Sequence, residues 1–390
     1  FETARGYGSS ELQFGPVIKK YSRESFILQS KVVPNKDAAI FRKTLQTTFE
    51  KLNLQGDDEY IDLFGFHGIN YPEQIDWILK PGGCMDVIDE FKAMGKIKHV
   101  GFSTHGMEPT ITAAIETGRF DYVNLHYQFI GSYTASGTGP KGGNISAIEA
   151  ARKHDMGVFI ISATDKGGKL YRPPVKFAQM CRPLTPISFN DMWLWAQYDA
   201  AGDPLIHTLV VGAARSSDLD EHIQAARRFS LTGGVRKMVQ EIADKLLAEV
   251  DKVMGKGFLD NWFKDLPHAW ENDEGLPIAH LVWLNWIVRV WGFYEYAKDR
   301  YSNLSGSGKE WKNDVSVDEN RAKIFNFVPG LQFRPEREAE IRASLSANPR
   351  GDELFALIKD LHEMFDGEGA AVTGKNIPDV PGIQEAWKCM

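Results

Sequence analysis

Short apolar runs alternate with longer amphipathic segments along the first part of the chain. The apolar runs are rich in β-branched residues and are bounded by polar residues or glycine: SFILQSKVV, YIDLFGFHGI, IKHVGFSTHG, FDYVNLHYQF, GVFIISAT and IHTLVVGAA. Between them lie segments of helical length: AAIFRKTLQTTFEKLNL, CMDVIDEFKAMGK, PTITAAIETG, SAIEAARKHD and DLDEHIQAARRF. This alternation predicts repeated βα units and a parallel sheet that is covered on both faces. The initial residues FETA are expected to end one further strand.

A parallel sheet with this many units is either doubly wound or closed into a (β/α)8 barrel. No GxGxxG motif follows an early strand, so the main mark of the doubly wound dinucleotide-binding fold is missing. We therefore predict an α/β fold of the (β/α)8 TIM-barrel type over residues 1–229. In this prediction the first βα unit and most of the second strand precede Phe1.

The pattern changes after Phe229, and apolar residues then recur at helical spacing. Three segments show this spacing: GGVRKMVQEIADKLLAEVDKVMG, PIAHLVWLNWIVRVWGFYEYAKDRY and DELFALIKDLHEMF. A polar, glycine-containing loop, LSGSGKEWKNDVS, separates the last two. We predict a second, helical domain over residues 230–390, and we expect its Trp and Tyr residues to form its core or, alternatively, to line a lid over the barrel mouth.

Composition and charge indicate which kinds of binding partner the protein is expected to lack. The net charge of −7 is mild, and no basic cluster suited to nucleic acid is seen. The cysteines Cys84, Cys181 and Cys389 are solitary, which favours neither disulfides nor a metal site and fits a reducing cytoplasm. The longest apolar stretch contains Arg289 and is short for a membrane span. We therefore expect no nucleic acid, membrane or metal partner and a cytoplasmic location.

Polar side chains at the predicted strand ends suggest acid–base chemistry. Glu2 and Tyr7 follow the first strand, Lys31 lies in the next, and His67 ends the one after it. A phenol has an ordinary pKa of about 10, and a neighbouring ammonium stabilises phenolate and so lowers that pKa. A carboxylate can hold the ammonium, and an imidazole can orient a carbonyl oxygen. Each residue also has a structural interpretation: a packing Tyr, a Glu2–Arg5 salt bridge, a rim lysine or a core histidine.

The stretch FETARGYGSSELQFG, Lys31 in ILQSK, His67 in DLFGFHGIN, and GKIKHVGFSTHG resemble the aldo–keto reductases over roughly residues 1–228. The resemblance implies a carbonyl reductase that uses NAD(P)H on a (β/α)8 barrel. It makes Tyr7 the general acid, Lys31 its pKa-lowering partner, Glu2 the acid of the tetrad and His67 the residue that orients substrate. The family usually has Asp where Glu2 stands.

The resemblance also implies a set of cofactor contacts at later strand ends: Ser103, Thr104, Asn124, Ser162, Gly167, Gly168, Gly212, Arg215, Asp218 and His222. Arg215 is the nearby cation for a 2′-phosphate, whereas Asp218 would repel that group. From the habit of the family we expect NADP(H) rather than NAD(H). The alternative for this last segment is a plain helix cap formed by Ser216 or Ser217.

The C-terminal region resembles a branch of the family that carries a helical domain of ferredoxin type with iron–sulfur clusters. Those clusters need sets of closely spaced cysteine thiolates. Cys389 is the only cysteine beyond Cys181, so we expect a helical domain without Fe–S ligands.

Two main functions follow from these residues. The first is reduction of an aldehyde or ketone, a small-molecule carbonyl substrate, by hydride transfer with a tyrosine acid. The alternative is a nucleotide-binding sensor or scaffold with degenerate catalytic activity, which the departures at Glu2, Ser162, Asp218 and His222 motivate. A barrel hydrolase with paired carboxylates would leave Lys31 and His67 unused and lacks a second strand-end acid to partner Glu2.

Overall fold

The computed structural model describes residues 1–56, 59–131, 142–267, 276–304 and 331–365. The chain forms two compact units whose segments interleave along the sequence. The sheet unit comprises Phe1–His126, Asn144–Ile161 and Tyr198–Val210. The helical unit comprises Tyr127–Gly143, Ser162–Gln197 and Val211–Met390.

All six apolar runs contain a strand of the sheet unit. The strands are β1 (Gln29–Val32), β2 (Ile61–His67), β3 (Ile97–Ser103), β4 (Tyr122–Leu125), β5 (Gly157–Ile161) and β6 (Thr208–Val210). They form one sheet in the order β1-β2-β3-β4-β5-β6, and every neighbouring pair is parallel. The predicted α/β class with a parallel sheet is therefore confirmed, while the complete eight-unit barrel stays a prediction.

Helices connect successive strands of this sheet: α1 (Ser10–Ile18), α2 (Ala38–Lys51), α3 (Pro72–Leu79), α4 (Cys84–Ala93), α5 (Glu108–Glu116) and α6 (Ile145–Lys153). The start of α2 is fixed by Asp37, whose side chain accepts a hydrogen bond from the Ala39 N–H at 2.8 Å. Its Phe41 stacks on Phe66 of β2, with ring centroids 5.4 Å apart. Helices therefore cover one face of the sheet with aromatic side chains.

The sheet is curled, and its opposite, inner face carries polar side chains. The Nε2 of Gln29 on β1 donates a hydrogen bond to Asn124 Oδ1 on β4 at 3.1 Å, although these strands are not neighbours in the sheet. Two glycines make room on this face. A Cβ at Gly65 would lie 2.9 Å from Lys31 Cγ, and one at Gly101 would lie 2.5 Å from Tyr122 ring carbons. The interior is therefore filled by side chains that cross from other strands.

The described helices of the helical unit are α7 (Val175–Met180), α8 (Pro186–Trp195), α9 (Asp220–Leu231), α10 (Val235–Met254), α11 (Phe258–Asn261), α12 (Ile278–Trp291), α13 (Tyr294–Ser302), α14 (Glu338–Ser344) and α15 (Gly351–Phe365). The long helix predicted from PIAHLVW is broken into α12 and α13, because Gly292 adopts a left-handed φ of +85°. Asn285 of α12 donates to the Leu357 carbonyl of α15 at 2.8 Å, which ties these two helices together.

The aromatic residues of this unit form its core, as predicted. Trp262, Trp283, Trp286 and Trp291 are all fully buried. In the described part of the chain, no helix combines the length and apolar character that crossing a membrane requires. The predicted loop after Leu304 and Cys389 lie outside the described residues. The division at residues 229/230 and the relation to the iron–sulfur branch stay predictions.

Gly101→Ala should destabilise the protein, because the added methyl group would overlap the Tyr122 ring and backbone. We expect a loss of about 3 kcal/mol in the free energy of unfolding, measured by urea denaturation. Gly233→Ala is the matched control, since a Cβ there meets no atom within 4 Å. Equal stability of the two variants would contradict the described packing of Tyr122.

Candidate active site

The segment before α1 runs beside β1 and positions Glu2 and Tyr7. Glu2 forms a parallel bridge with Gln29, the Thr3 N–H donates to the Gln29 carbonyl at 2.9 Å, and the Arg5 N–H donates to the Lys31 carbonyl at 2.8 Å. The chain then turns, and the Tyr7 N–H donates to the Ala4 carbonyl at 3.0 Å. FETA therefore extends the sheet by one strand-like segment, and Tyr7 lies just beyond its carboxyl end.

Lys31 is the buried centre of the site. Its side chain is 1% exposed, and its ammonium forms an ion pair with the carboxylate of Glu2. The Nζ also donates to the Thr3 carbonyl at 3.1 Å and lies 5.0 Å from the centroid of the Tyr7 ring. Arg5 forms its ion pair with Glu11 instead of Glu2. The structure therefore shows Glu2 paired with Lys31 and not with Arg5.

His67 also contacts the tyrosine. It is the last residue of β2, and its ring meets the Tyr7 ring edge-on with centroids 5.3 Å apart. The structure thus brings together all four residues of the predicted tetrad, Glu2, Tyr7, Lys31 and His67, at the carboxyl edge of neighbouring strands. Their catalytic roles stay predictions.

Burial opposes ionisation at this centre. It lowers the pKa of Lys31 to about 7, because the amine is removed from water. The contacting Glu2 carboxylate favours the charged amine and so counteracts this effect. Burial also raises the pKa of the Tyr7 phenol, opposite to the direction that the sequence predicted. Any increase in the acidity of Tyr7 must therefore come from keeping Lys31 charged.

Ser103 and Asn124 lie together at the same edge of the sheet. They are paired in register on β3 and β4, and Ser103 is paired in turn with His67 on β2. Asn124 is fully buried, and its Nδ2 has no hydrogen-bond partner among the described residues. Thr104 instead stabilises a turn: its hydroxyl donates to the Ile69 carbonyl at 2.7 Å and accepts from the Gly106 N–H at 2.9 Å.

The glycines after β5 are explained by packing in the helical unit. A Cβ on Gly167 would lie 2.9 Å from Gln128, and one on Gly168 would lie 2.7 Å from the Phe293 ring. Gly168 also has a left-handed φ of +108°. The Ser162 carbonyl accepts a hydrogen bond from Gln128 Nε2 at 3.3 Å. These contacts account for the glycines without a phosphate.

In the segment after β6, backbone N–H groups donate hydrogen bonds to the carboxylate of a nearby residue in the same segment. Asp218 Oδ2 accepts hydrogen bonds from the Ala214 and Arg215 N–H groups, both at 3.0 Å. The exposed Arg215 guanidinium donates to Asp218 Oδ1 at 2.8 Å, while a Cβ at Gly212 would meet open space. Asp218 therefore satisfies these N–H groups. The helix-cap alternative from the sequence had assigned that role to Ser216 or Ser217.

His222 belongs to a buried pair with Asp191 on α8. Its Nδ1 lies 2.6 Å from Asp191 Oδ2, and Asp191 is fully buried. Burial alone would lower the pKa of His222, but the Asp191 carboxylate raises it overall. The sequence analysis did not identify Asp191, because no spacing links positions 191 and 222.

The sequence analysis also missed two polar features of the sheet unit, the side chain of Gln29 and the pair formed by His105 and His126. Gln29 contacts Asn124, and its position two residues before Lys31 on the same strand face was the available signal. His105 Nδ1 and His126 Nε2 lie 2.9 Å apart just beyond β3 and β4. Both histidines follow predicted strands, as His67 does, so a search of every strand end would have found them.

The residues present fit one end of a nicotinamide dinucleotide. The buried Nδ2 of Asn124, which has no partner among the described residues, lies beside Ser103 and suits a carboxamide, which needs hydrogen bonds from the protein. At the predicted phosphate end, Arg215 is already paired with Asp218, so a 2′-phosphate would have to compete with that carboxylate.

The lowered pKa of Lys31 predicts a pH-dependent stability. Between about 7 and the ordinary value of 10.5, the unfolded chain holds a proton that the folded chain lacks, so stability rises with pH. Relative to Lys31→Met, the parent should gain up to about 1.4 kcal/mol per pH unit across this window. Urea unfolding at pH 7, 8 and 9 measures this difference. Parallel curves for the two proteins would show that the Lys31 amine does not titrate there.

Part of the chain is similar to a known protein family. Residues 1–132 match the model of the Aldo/keto reductase family. No curated protein matches the chain.

Among solved structures, three similar ones are aldo-keto reductases. The holo form from Bacillus halodurans is 18% identical, covers 62% of this chain and 81% of its own, and has a TM-score of 0.47. An enzyme from a Medee basin deep-sea metagenome library is 14% identical, with coverages of 62% and 80% and a TM-score of 0.45. The Bombyx mori enzyme in complex with NADP is 15% identical, with coverages of 63% and 77% and a TM-score of 0.44.

The matched stretch contains Glu2, Tyr7, Lys31 and His67, the residues on which the resemblance was based. Over residues 1–132, the chain is therefore similar to the aldo-keto reductase family.

Proposed function

We propose that the protein is an NAD(P)H-dependent oxidoreductase that reduces a small aldehyde or ketone to the alcohol. The observation that supports this function best is the buried Lys31 amine, in contact with the Glu2 carboxylate and 5.0 Å from the Tyr7 ring. His67, in edge contact with the Tyr7 ring, completes the group. The curled sheet is expected to belong to a (β/α)8 barrel, whose chemistry is found at the carboxyl edge of the strands.

Each residue of the tetrad has a separate task in this proposal. Reduced nicotinamide, when bound, supplies the hydride. The Tyr7 hydroxyl donates a proton to the carbonyl oxygen, and the Lys31 ammonium stabilises the phenolate that remains. Glu2 favours the charged form of the Lys31 amine, which burial opposes. His67, in edge contact with the Tyr7 ring, orients the carbonyl oxygen toward the phenol.

Ser103 and Asn124 are proposed to hold the nicotinamide end of the cofactor. Both lie in register with each other, and Ser103 is in register with His67. The preference for NADP(H) over NAD(H) rests on Arg215 and on the habit of the family. The Asp218 carboxylate limits this preference, because it neutralises the Arg215 guanidinium.

Two observations favour the second candidate, a nucleotide-binding sensor with little turnover. Burial raises the pKa of Tyr7, which makes the phenol a weaker acid. Asp218 also occupies the N–H groups that would meet a phosphate. Mixing the protein and NADPH with a broad panel of carbonyl compounds separates the two functions. Cofactor binding without NADPH oxidation would favour the sensor.

Tyr7→Phe should abolish carbonyl reduction and leave cofactor binding nearly intact, because only the proton donor is removed. We expect a loss of about 10²- to 10⁴-fold in kcat, measured by NADPH oxidation. Tyr21→Phe is the matched control, since Tyr21 is 63% exposed and outside the tetrad. Reduction by Tyr7→Phe at the parental rate would refute the role of Tyr7.

Asp218→Asn should increase the preference for NADPH, because the Arg215 charge is no longer neutralised. We expect the ratio of NADH to NADPH dissociation constants to rise about fivefold. Asp220→Asn removes the same charge two residues away and serves as the control. An unchanged ratio in Asp218→Asn would show that Arg215 does not meet a 2′-phosphate.

A further inference from the structure

Gln29 crosses the interior of the curled sheet to reach β4. Its Nε2 donates hydrogen bonds to Asn124 Oδ1 at 3.1 Å and to the Tyr122 hydroxyl at 3.2 Å. All three side chains are at least 97% buried. A buried amide with two partners has a fixed orientation, since breaking either hydrogen bond would leave a polar atom unsatisfied.

The bond from Gln29 decides which end of the Asn124 amide is left for a ligand. Because Oδ1 accepts from Gln29, Nδ2 is the end that remains, and it has no partner among the described residues. An unsatisfied buried donor is destabilising, and a bound acceptor would satisfy it. A ligand that reaches Asn124 would therefore meet a donor.

Ser103 offers a second donor beside it. It pairs in register with Asn124, and its Oγ accepts a hydrogen bond from the Gly68 N–H at 3.2 Å. Since that bond uses a lone pair, the hydroxyl hydrogen remains able to donate. Two donors on neighbouring strand ends suit one carbonyl oxygen, which has two lone pairs.

We infer that Gln29 is a positioning residue for the nicotinamide ring. It orients the Asn124 amide so that Asn124 and Ser103 both donate to the carboxamide oxygen of the cofactor. This inference rests on the proposed function, because it assumes a nicotinamide beside Tyr7 and His67. It adds that the site recognises the carbonyl oxygen of the carboxamide and not its amino group.

A pair of dinucleotides tests which end of the carboxamide is recognised. The 3-acetylpyridine analogue keeps the carbonyl oxygen but has a methyl group in place of the amide nitrogen. The parent protein should bind the oxidised cofactor and this analogue with dissociation constants within about threefold of each other. Quenching of tryptophan fluorescence measures both constants without requiring turnover.

Gln29→Glu should reverse this recognition. A carboxylate only accepts hydrogen bonds, so the Asn124 amide would turn to donate Nδ2 to Glu and present Oδ1 to the ligand. The natural cofactor can still donate its amino group to that oxygen, whereas the analogue cannot. We expect the analogue to bind about tenfold more weakly relative to the natural cofactor.

Tyr122→Phe is the matched control, because it removes the other hydrogen bond of Gln29 and leaves the bond to Asn124. Its ratio of dissociation constants should equal that of the parent. If Gln29→Glu does not fold, Asn124→Asp provides the same reversal. One carboxylate oxygen would accept from Gln29, and the other would face the ligand as an acceptor.

Three outcomes would overturn the inference. A parent that binds the analogue at least tenfold more weakly than the cofactor would show that Asn124 presents its oxygen. An equal loss for both ligands in Gln29→Glu or Asn124→Asp would show a merely structural role. A parent that binds neither dinucleotide would contradict the proposed function itself, which distinguishes that failure from the other two.

Discussion

The ion pair between Lys31 and Glu2 is the interaction on which the site depends. Removing an ammonium from water is costly, and the interior of the sheet lowers the pKa of Lys31 to about 7. The carboxylate in contact recovers part of that cost by favouring the charged form. The charge that would help Tyr7 to release a proton therefore exists only as far as Glu2 maintains it, and a Glu in place of the usual Asp retains that contact.

The sheet could be predicted from the sequence because a strand buried on both faces is a continuous apolar run. Elements without a clear period were missed. Helix α3 has only eight residues, too few to show a helical repeat. Seven of the ten residues of α8 are buried and the other three are half-buried, so this helix has no exposed polar face. The break at Gly292 was missed because apolar spacing continues through it, and only the backbone conformation reveals the end of α12.

The tetrad could be predicted for a geometric reason, since the carboxyl ends of parallel strands meet at one edge. Residues that act through other residues could not be predicted in this way. Gln29 and Asp191 lie far in sequence from Asn124 and His222, the side chains they hold, and only folding brings each pair together. The Arg215–Asp218 pair was recognised as a conflict of charges, but its effect on the backbone N–H groups required the structure.

The interleaving of the two compact units affects how the protein can be divided. The chain passes from one unit to the other at residues 126/127, 143/144, 161/162, 197/198 and 210/211. No contiguous gene fragment therefore encodes either unit without including pieces of the other. A cut between residues 127 and 210 leaves both units incomplete. Transfer of one unit into another protein would therefore require several separate segments to be moved together.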